Sequence, residues 1–141
     1  MLNKGLLTTG VLAFALPLSC AYAQSGPQVT EALQRLRNVT VFTLEPIGFV
    51  ATTSPGEKDY RLLLSEPPDR AIGYFEKLYA SGNMQAKSYA LAGFRKVSPD
   101  RFTELYRSLA QSKDEVITQT GCVRSHETLY EIAQHLNQDL Q

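Results

Sequence analysis

The chain has 141 residues, and its 14 basic and 14 acidic side chains give a formal net charge of zero. A nucleic-acid binder needs a basic surface to displace counterions from phosphates, so this balance argues against nucleic acid as a partner. After the N-terminal segment, no apolar run approaches the roughly 20 residues of a membrane helix. We therefore expect no membrane span in residues 24–141.

The N-terminal segment has the pattern of a secretory signal peptide. Lys4 provides a positive start, residues 5–18 are apolar but too short to cross a bilayer, and residues 21–23 read Ala-Tyr-Ala, a cleavage pattern. We predict that residues 1–23 are this signal and that residues 24–141 form a single domain, periplasmic or secreted.

Cysteine content bears on the redox chemistry of the exported chain. A lipoprotein signal would use Cys20, but Pro17 and Leu18 match such a signal poorly, and ordinary cleavage after Ala23 fits better. Cys122 is then the single thiol, so no intramolecular disulfide can form. This thiol is buried and inert, joined to another molecule, or reactive.

Amphipathic helices are predicted along most of the remaining chain. Helical spacing of apolar residues predicts a first helix within 28–38, and residues 39–44 predict a strand or extended connector. The following helices are predicted to begin at Ser54-Pro55, Pro67-Pro68, Asn83 and Ser98-Pro99, where a capping residue or a proline favours a helix start. The helix that contains residues 89–94 is apolar all round, which predicts a central position.

The C-terminal part combines an extended segment with a last helix. Residues 115–123 are predicted to form an extended linker or a short strand that folds back on the helices. Ser125 is predicted to cap a final helix, with a buried face formed by Leu129, Ile132, Ala133 and Leu136. The predicted fold class is all-α, a small bundle or a stack of helical hairpins that leaves room for one or two short extended segments.

Cys122 and His126 are the candidates for nucleophilic chemistry. A catalytic pair needs the imidazole within hydrogen-bond reach of the sulfur, and four residues separate the two positions. If His126 lies in the first turn of the last helix, contact is geometrically possible. Free cysteines are mostly buried, however, and the apolar neighbours favour a packed, structural Cys122. An intermolecular disulfide is the third alternative.

A metal site is the second chemical hypothesis. Glu127, Glu131 and His135 are spaced by four residues, so on a helix they would share one face and could hold zinc. That face lies opposite the apolar stripe, and a solvated polar face explains it better. We therefore expect no metal and no cofactor.

Two tyrosines are the candidate binding residues. Tyr74 lies away from the apolar stripe of its predicted helix and Tyr130 borders its own stripe. Amphipathic rings of this kind are enriched at protein interfaces. We predict Tyr74 and Tyr130 as binding residues, against the alternative that both bridge core and solvent.

One part of the sequence resembles a group of small exported bacterial proteins of unknown function. The shared pattern is Tyr-Ala-Leu-x-Gly, then Phe, then Val-x-Thr-x-x-Gly-Cys, matched by residues 89–93, Phe102 and residues 116–122, with a further likeness over 52–60. This resemblance implies export, and because the function of the group is unknown, it implies nothing about activity. The helical pairs also loosely resemble HEAT-type repeats, whose usual role is protein binding.

These observations predict an exported, non-catalytic helical protein that acts by binding another protein. Within this class, an inhibitor or an immunity protein against an exported toxin fits the size and the compartment. The alternatives are a thiol-dependent protein that uses Cys122 and a carrier of a hydrophobic ligand between the helices.

Overall fold

The structure, a computed structural model, describes residues 26–138, so the predicted signal peptide lies outside the described residues. The described elements are α1 (Gly26–Arg37), α2 (Pro55–Leu64), α3 (Pro68–Ser81), α4 (Met84–Val97), α5 (Pro99–Ser108), β1 (Glu115–Thr120), β2 (Val123–Thr128) and α6 (Leu129–Gln138). The prediction of a mainly helical fold is confirmed. The all-α class is wrong in one respect, because β1 and β2 form a small antiparallel sheet. None of the described helices is long and apolar enough to cross a membrane.

Side-chain caps set the starts of α2 and α4, whereas Pro67 before α3 and Ser98 before α5 make no side-chain cap hydrogen bond. The Ser54 hydroxyl accepts the backbone N–H of Glu57 at 3.0 Å, and Pro55 occupies the first turn, where its missing N–H costs nothing. The Asn83 side chain accepts the backbone N–H of Ala86 at 2.9 Å in the same way. The predicted starts of α2 and α4 are therefore confirmed.

Helix α4 lies at the centre of the core. It packs against α3, α5, α6 and β1, and Tyr89, Leu91 and Phe94 are fully buried. A Cβ atom built on Gly93 would lie 2.5 Å from the Phe75 ring, so only glycine permits the observed approach of α3. The predicted central position of this helix is confirmed.

The strands form a hairpin that folds back on the helices. Their register runs from Glu115 opposite Thr128 to Thr120 opposite Val123. Gly121 and Cys122 make the two-residue turn, and Gly121 has a φ of +58°, the positive value that tight hairpin turns require. β1 turns alternate side chains toward the core, whereas β2 is exposed over most of its length.

The start of the last helix corrects the sequence prediction. Ser125 lies in β2 and caps nothing; α6 begins at Leu129. Glu131 accepts the backbone N–H of Thr128 at 2.7 Å, and the Thr128 hydroxyl accepts the backbone N–H of Glu131 at 3.2 Å. This reciprocal pair is a capping box, and it lies three residues later than the predicted cap.

Residues 39–44 form an extended connector, as predicted. The Phe42 N–H donates to the Ile117 carbonyl at 2.8 Å, and the Gln119 N–H donates to the Phe42 carbonyl at 3.1 Å. On the other side, the Tyr89 hydroxyl donates to the Thr43 carbonyl at 2.9 Å and accepts the Thr43 N–H at 3.3 Å. The connector is thus held between β1 and α4, which fixes the position of the loop that follows it.

Candidate functional site

The loop after the connector is a tight turn with apolar residues at its apex. Ile47 and Thr52 exchange two backbone hydrogen bonds, at 2.9 and 3.0 Å. Inside this pair, the Ala51 N–H donates to the Gly48 carbonyl at 3.2 Å, and both residues have positive φ values, +51° and +74°. The chain therefore reverses within four residues, and Phe49 stands at the apex.

Three large apolar side chains are exposed where this loop meets the hairpin turn. Phe49 is 100% exposed, Val50 is 80% exposed and Val123 is 68% exposed. Phe49, Val50 and Val123 are called the apolar tip below. Single exposed apolar residues are common on protein surfaces. Phe49 and Val50 are neighbours in one loop, and a backbone hydrogen bond joins that loop to the turn before Val123, so the three are candidates for one interaction site.

A direct backbone contact joins the two turns. The Gly48 N–H donates to the Gly121 carbonyl at 3.0 Å, next to a parallel bridge between Ile47 and Gly121. Val123 follows this hairpin turn by two residues. The apolar tip is therefore composed of two turns that a backbone hydrogen bond joins.

A cleft of about 350 Å³ opens beside the apolar tip. Val39 and Ile47 contribute apolar surface to it, and Arg35 and Asp59 contribute charge. Arg35 donates to both carboxylate oxygens of Asp59, at 2.9 and 2.7 Å. These hydrogen bonds raise the pKa of the Arg35 guanidinium, so the pair neutralises its own charge.

The structure separates the predicted thiol pair. Cys122 is exposed in the hairpin turn, so the prediction that it packs inward is wrong. His126 lies in β2, four residues along an extended strand and so about 13 Å away. Its Nδ1 atom lies 3.8 Å from a Glu115 carboxylate oxygen. The His126 imidazole is therefore too far from Cys122 to form a hydrogen bond with the thiol.

The predicted metal ligands do not share a helix face. Glu127 is in β2, where it accepts the Thr118 hydroxyl at 2.8 Å, and its other oxygen lies 3.1 Å from His135 Nδ1. Glu131 is engaged by the Thr128 N–H and hydroxyl. The described part of the chain contains no group of three or more metal-binding side chains. Glu127 and His135 instead lie side by side where β2 meets α6, and the Glu127 oxygen nearest His135 has no hydrogen-bond partner among the described residues.

The predicted binding tyrosines are half-buried. Tyr130 stacks on Tyr106 with ring centroids 5.7 Å apart and an interplanar angle of 11°, and Tyr74 lies below the Lys77 ammonium at 5.9 Å. Contact with Tyr130 is the main cause that raises the pKa of Tyr106. Both predicted rings pack against the core. Their binding role stays a prediction.

The apolar tip was not predicted from the sequence. Residues 46–50 read Pro-Ile-Gly-Phe-Val, and in a sequence such an apolar run suggests buried structure. The available indication was the proline and glycine within five residues, which favours a turn.

Comparison with known proteins adds no relative. No protein-family model, no curated protein and no solved structure matches the chain. The resemblance to small exported proteins and the looser likeness to HEAT-type repeats therefore stay predictions.

Proposed function

We propose that the protein acts by binding another protein through the apolar tip. The observation that carries this proposal is the full exposure of Phe49, at the apex of a turn whose backbone is hydrogen-bonded on both sides. Complete burial of one such side chain contributes about 1.5–3 kcal/mol. Because Phe49 is exposed, this free energy does not stabilise the fold and is released only when a partner buries the side chain.

The geometry also supports the finer proposal of an inhibitor or immunity protein. A loop held in one conformation before binding loses little conformational entropy when it inserts into a partner. Backbone hydrogen bonds from Gly48 and Ile47 hold the apex in this way. An exported toxin with an apolar groove would be a target of matching chemistry, in the compartment that the signal peptide predicts.

Site-specific photo-crosslinking in intact cells tests the proposal. A photoreactive residue is placed at Phe49, and a matched control is placed at Lys113, which is exposed just before the opposite end of the hairpin. We expect one discrete adduct from position 49 and none from position 113. Equal adduct patterns from both positions, or no adduct from either, would remove the support for the apolar tip as a binding surface.

A second candidate function is thiol-dependent. The exposure of Cys122 favours it, because a reactive thiol must be accessible and a structural one need not be. A non-reducing gel of the exported protein tests this candidate. A disulfide-linked species that disappears in Cys122→Ser supports a thiol role, and identical gels and cellular phenotypes for both proteins refute it.

A further inference from the structure

The hairpin has one free edge in the part of the chain that the structure describes. β1 is paired with β2 on one side and bridged to the Phe42 segment on the other. β2 pairs only with β1 among the described residues. Unpaired backbone groups along such an edge form a template for another strand.

The register identifies the backbone groups that face outward. Ile117 and Gln119 direct their backbone groups to Phe42, away from β2. The residues opposite them, His126 and Arg124, therefore form non-hydrogen-bonded pairs. The N–H and C=O of Arg124 and of His126 point away from β1, which leaves two donors and two acceptors in a row.

The open edge ends at Thr128 on one side and reaches the apolar tip on the other. At the C-terminal end, the Thr128 N–H is already bound by Glu131 at 2.7 Å, so pairing stops there. At the N-terminal end, the strand begins at Val123, which belongs to the apolar tip. The open edge is therefore short and continuous with the proposed binding surface.

The charge at this edge indicates what would pair with it. Arg124 is exposed, and within residues 26–138 its side chain donates only to the Gln119 amide oxygen, at 3.3 Å, with no carboxylate partner. Symmetric antiparallel pairing with a second copy would set Arg124 opposite Arg124, His126 or Thr128 of that copy, none of which is acidic. An acidic side chain on a different chain would complete the pair.

We propose that the outer edge of β2 accepts an extended segment of the partner protein as an added strand, with an acidic residue of that segment opposite Arg124. This inference rests on the proposed function, since it specifies how the bound protein is recognised. Backbone hydrogen bonds to Arg124 and His126 supply the affinity, and the charge at Arg124 selects the register.

The test uses two capped synthetic heptapeptides of alternating threonine and valine, one with a central glutamate and one with a central lysine. Amide hydrogen exchange in the protein is followed by NMR. We expect the glutamate peptide to slow exchange at Arg124 and His126 at least about tenfold, and the lysine peptide to bind about five to ten times more weakly. Unchanged exchange at both amides at millimolar peptide would overturn the proposal.

Two substitutions at His126 separate backbone pairing from side-chain contact. His126→Pro removes an outward N–H and breaks no bond to β1, so it should abolish peptide binding, whereas His126→Ala should bind like the wild type. Equal binding by both variants contradicts strand addition. An unchanged β1 exchange pattern confirms that His126→Pro still folds.

A third variant distinguishes the two proposals. Suppose that Phe49→Ser abolishes peptide binding, while the Arg124 and His126 amides of the wild type exchange at the same rate with and without peptide. The apolar tip is then the binding surface, and strand addition is overturned. If the edge amides are protected but position 49 gives no adduct in cells, strand addition stands and the proposed role of the apolar tip fails.

Discussion

Replacement of Tyr89 by phenylalanine tests how the core fixes the connector that leads to the apolar tip. The Tyr89 ring is fully buried, and its hydroxyl satisfies both the N–H and the C=O of Thr43, at 3.3 and 2.9 Å. Burial is also the main cause that raises the pKa of this hydroxyl. Tyr89→Phe keeps the ring and removes the shared partner.

The magnitude follows from the two backbone groups that lose their partner. Each buried polar group without a hydrogen bond costs about 1–3 kcal/mol. Thr43 is only 5% exposed, so both groups count as buried. We expect Tyr89→Phe to lower the free energy of unfolding by about 2–4 kcal/mol and to speed exchange of the Thr43 amide.

Urea denaturation and amide hydrogen exchange measure these two effects. Tyr79→Phe is the matched control: Tyr79 is half-buried, its hydroxyl has no hydrogen-bond partner among the described residues, and we expect a change within about 0.5 kcal/mol. A loss below about 1 kcal/mol for Tyr89→Phe with an unchanged Thr43 amide would refute the role given to this hydroxyl.

Three further predictions address packing, pH and the thiol. Gly93→Ala places a Cβ 2.5 Å from an aromatic ring of α3 and should destabilise the protein by about 1–3 kcal/mol in urea denaturation. In the control Gly73→Ala, the new Cβ meets no atom within 4 Å and should stabilise the protein by about 0.5–1 kcal/mol. Equal effects of the two substitutions would contradict the packing of α3 on α4. The backbone hydrogen bond from Thr128 lowers the pKa of Glu131. The cap should therefore stabilise α6 fully above about pH 4.3 and lose this effect as the pH falls through the pKa of the folded state. An NMR titration of Glu131 with a midpoint at or above the ordinary value would contradict this pH dependence. Cys122 should react with a thiol reagent at one rate in folded and denatured protein, and a large acceleration on unfolding would show that it is buried.

The starts of α2 and α4 could be predicted because they depend on neighbouring residues. Ser54 and Asn83 each cap a backbone N–H three residues ahead, so the information is local. The buried face of α6 was predicted for the same reason, since its apolar residues recur at helical spacing.

The hairpin shows where local information ends. Ser125 resembles a helix cap in the sequence, but residues 123–128 are a strand because they pair with β1 through a turn at Gly121 and Cys122. Once that turn forms, Cys122 is exposed and His126 lies on an extended strand. The prediction that placed His126 in the first turn of the last helix failed for this reason, and so did the prediction that Cys122 packs inward.

The apolar tip could not be predicted from the sequence, because the exposure of Phe49 depends on distant contacts. The loop projects outward since Phe42 is paired with β1 and Gly48 with Gly121, across more than 70 residues of sequence. The residues at the apex are apolar, as core residues are. Only the tertiary structure distinguishes an exposed apolar residue at this apex from a buried one in the core.

The double substitution Phe49→Ser with Val50→Ser tests the central claim most directly, with a photoreactive residue at Val123 as the reporter. Side chains that are 100% and 80% exposed contribute almost nothing to folding, so we expect the melting temperature to stay within about 2 °C while the adduct from position 123 is lost. An undiminished adduct would contradict the account, because the partner would then bind without these side chains, and a melting temperature lowered by more than about 5 °C would show that they support the fold instead.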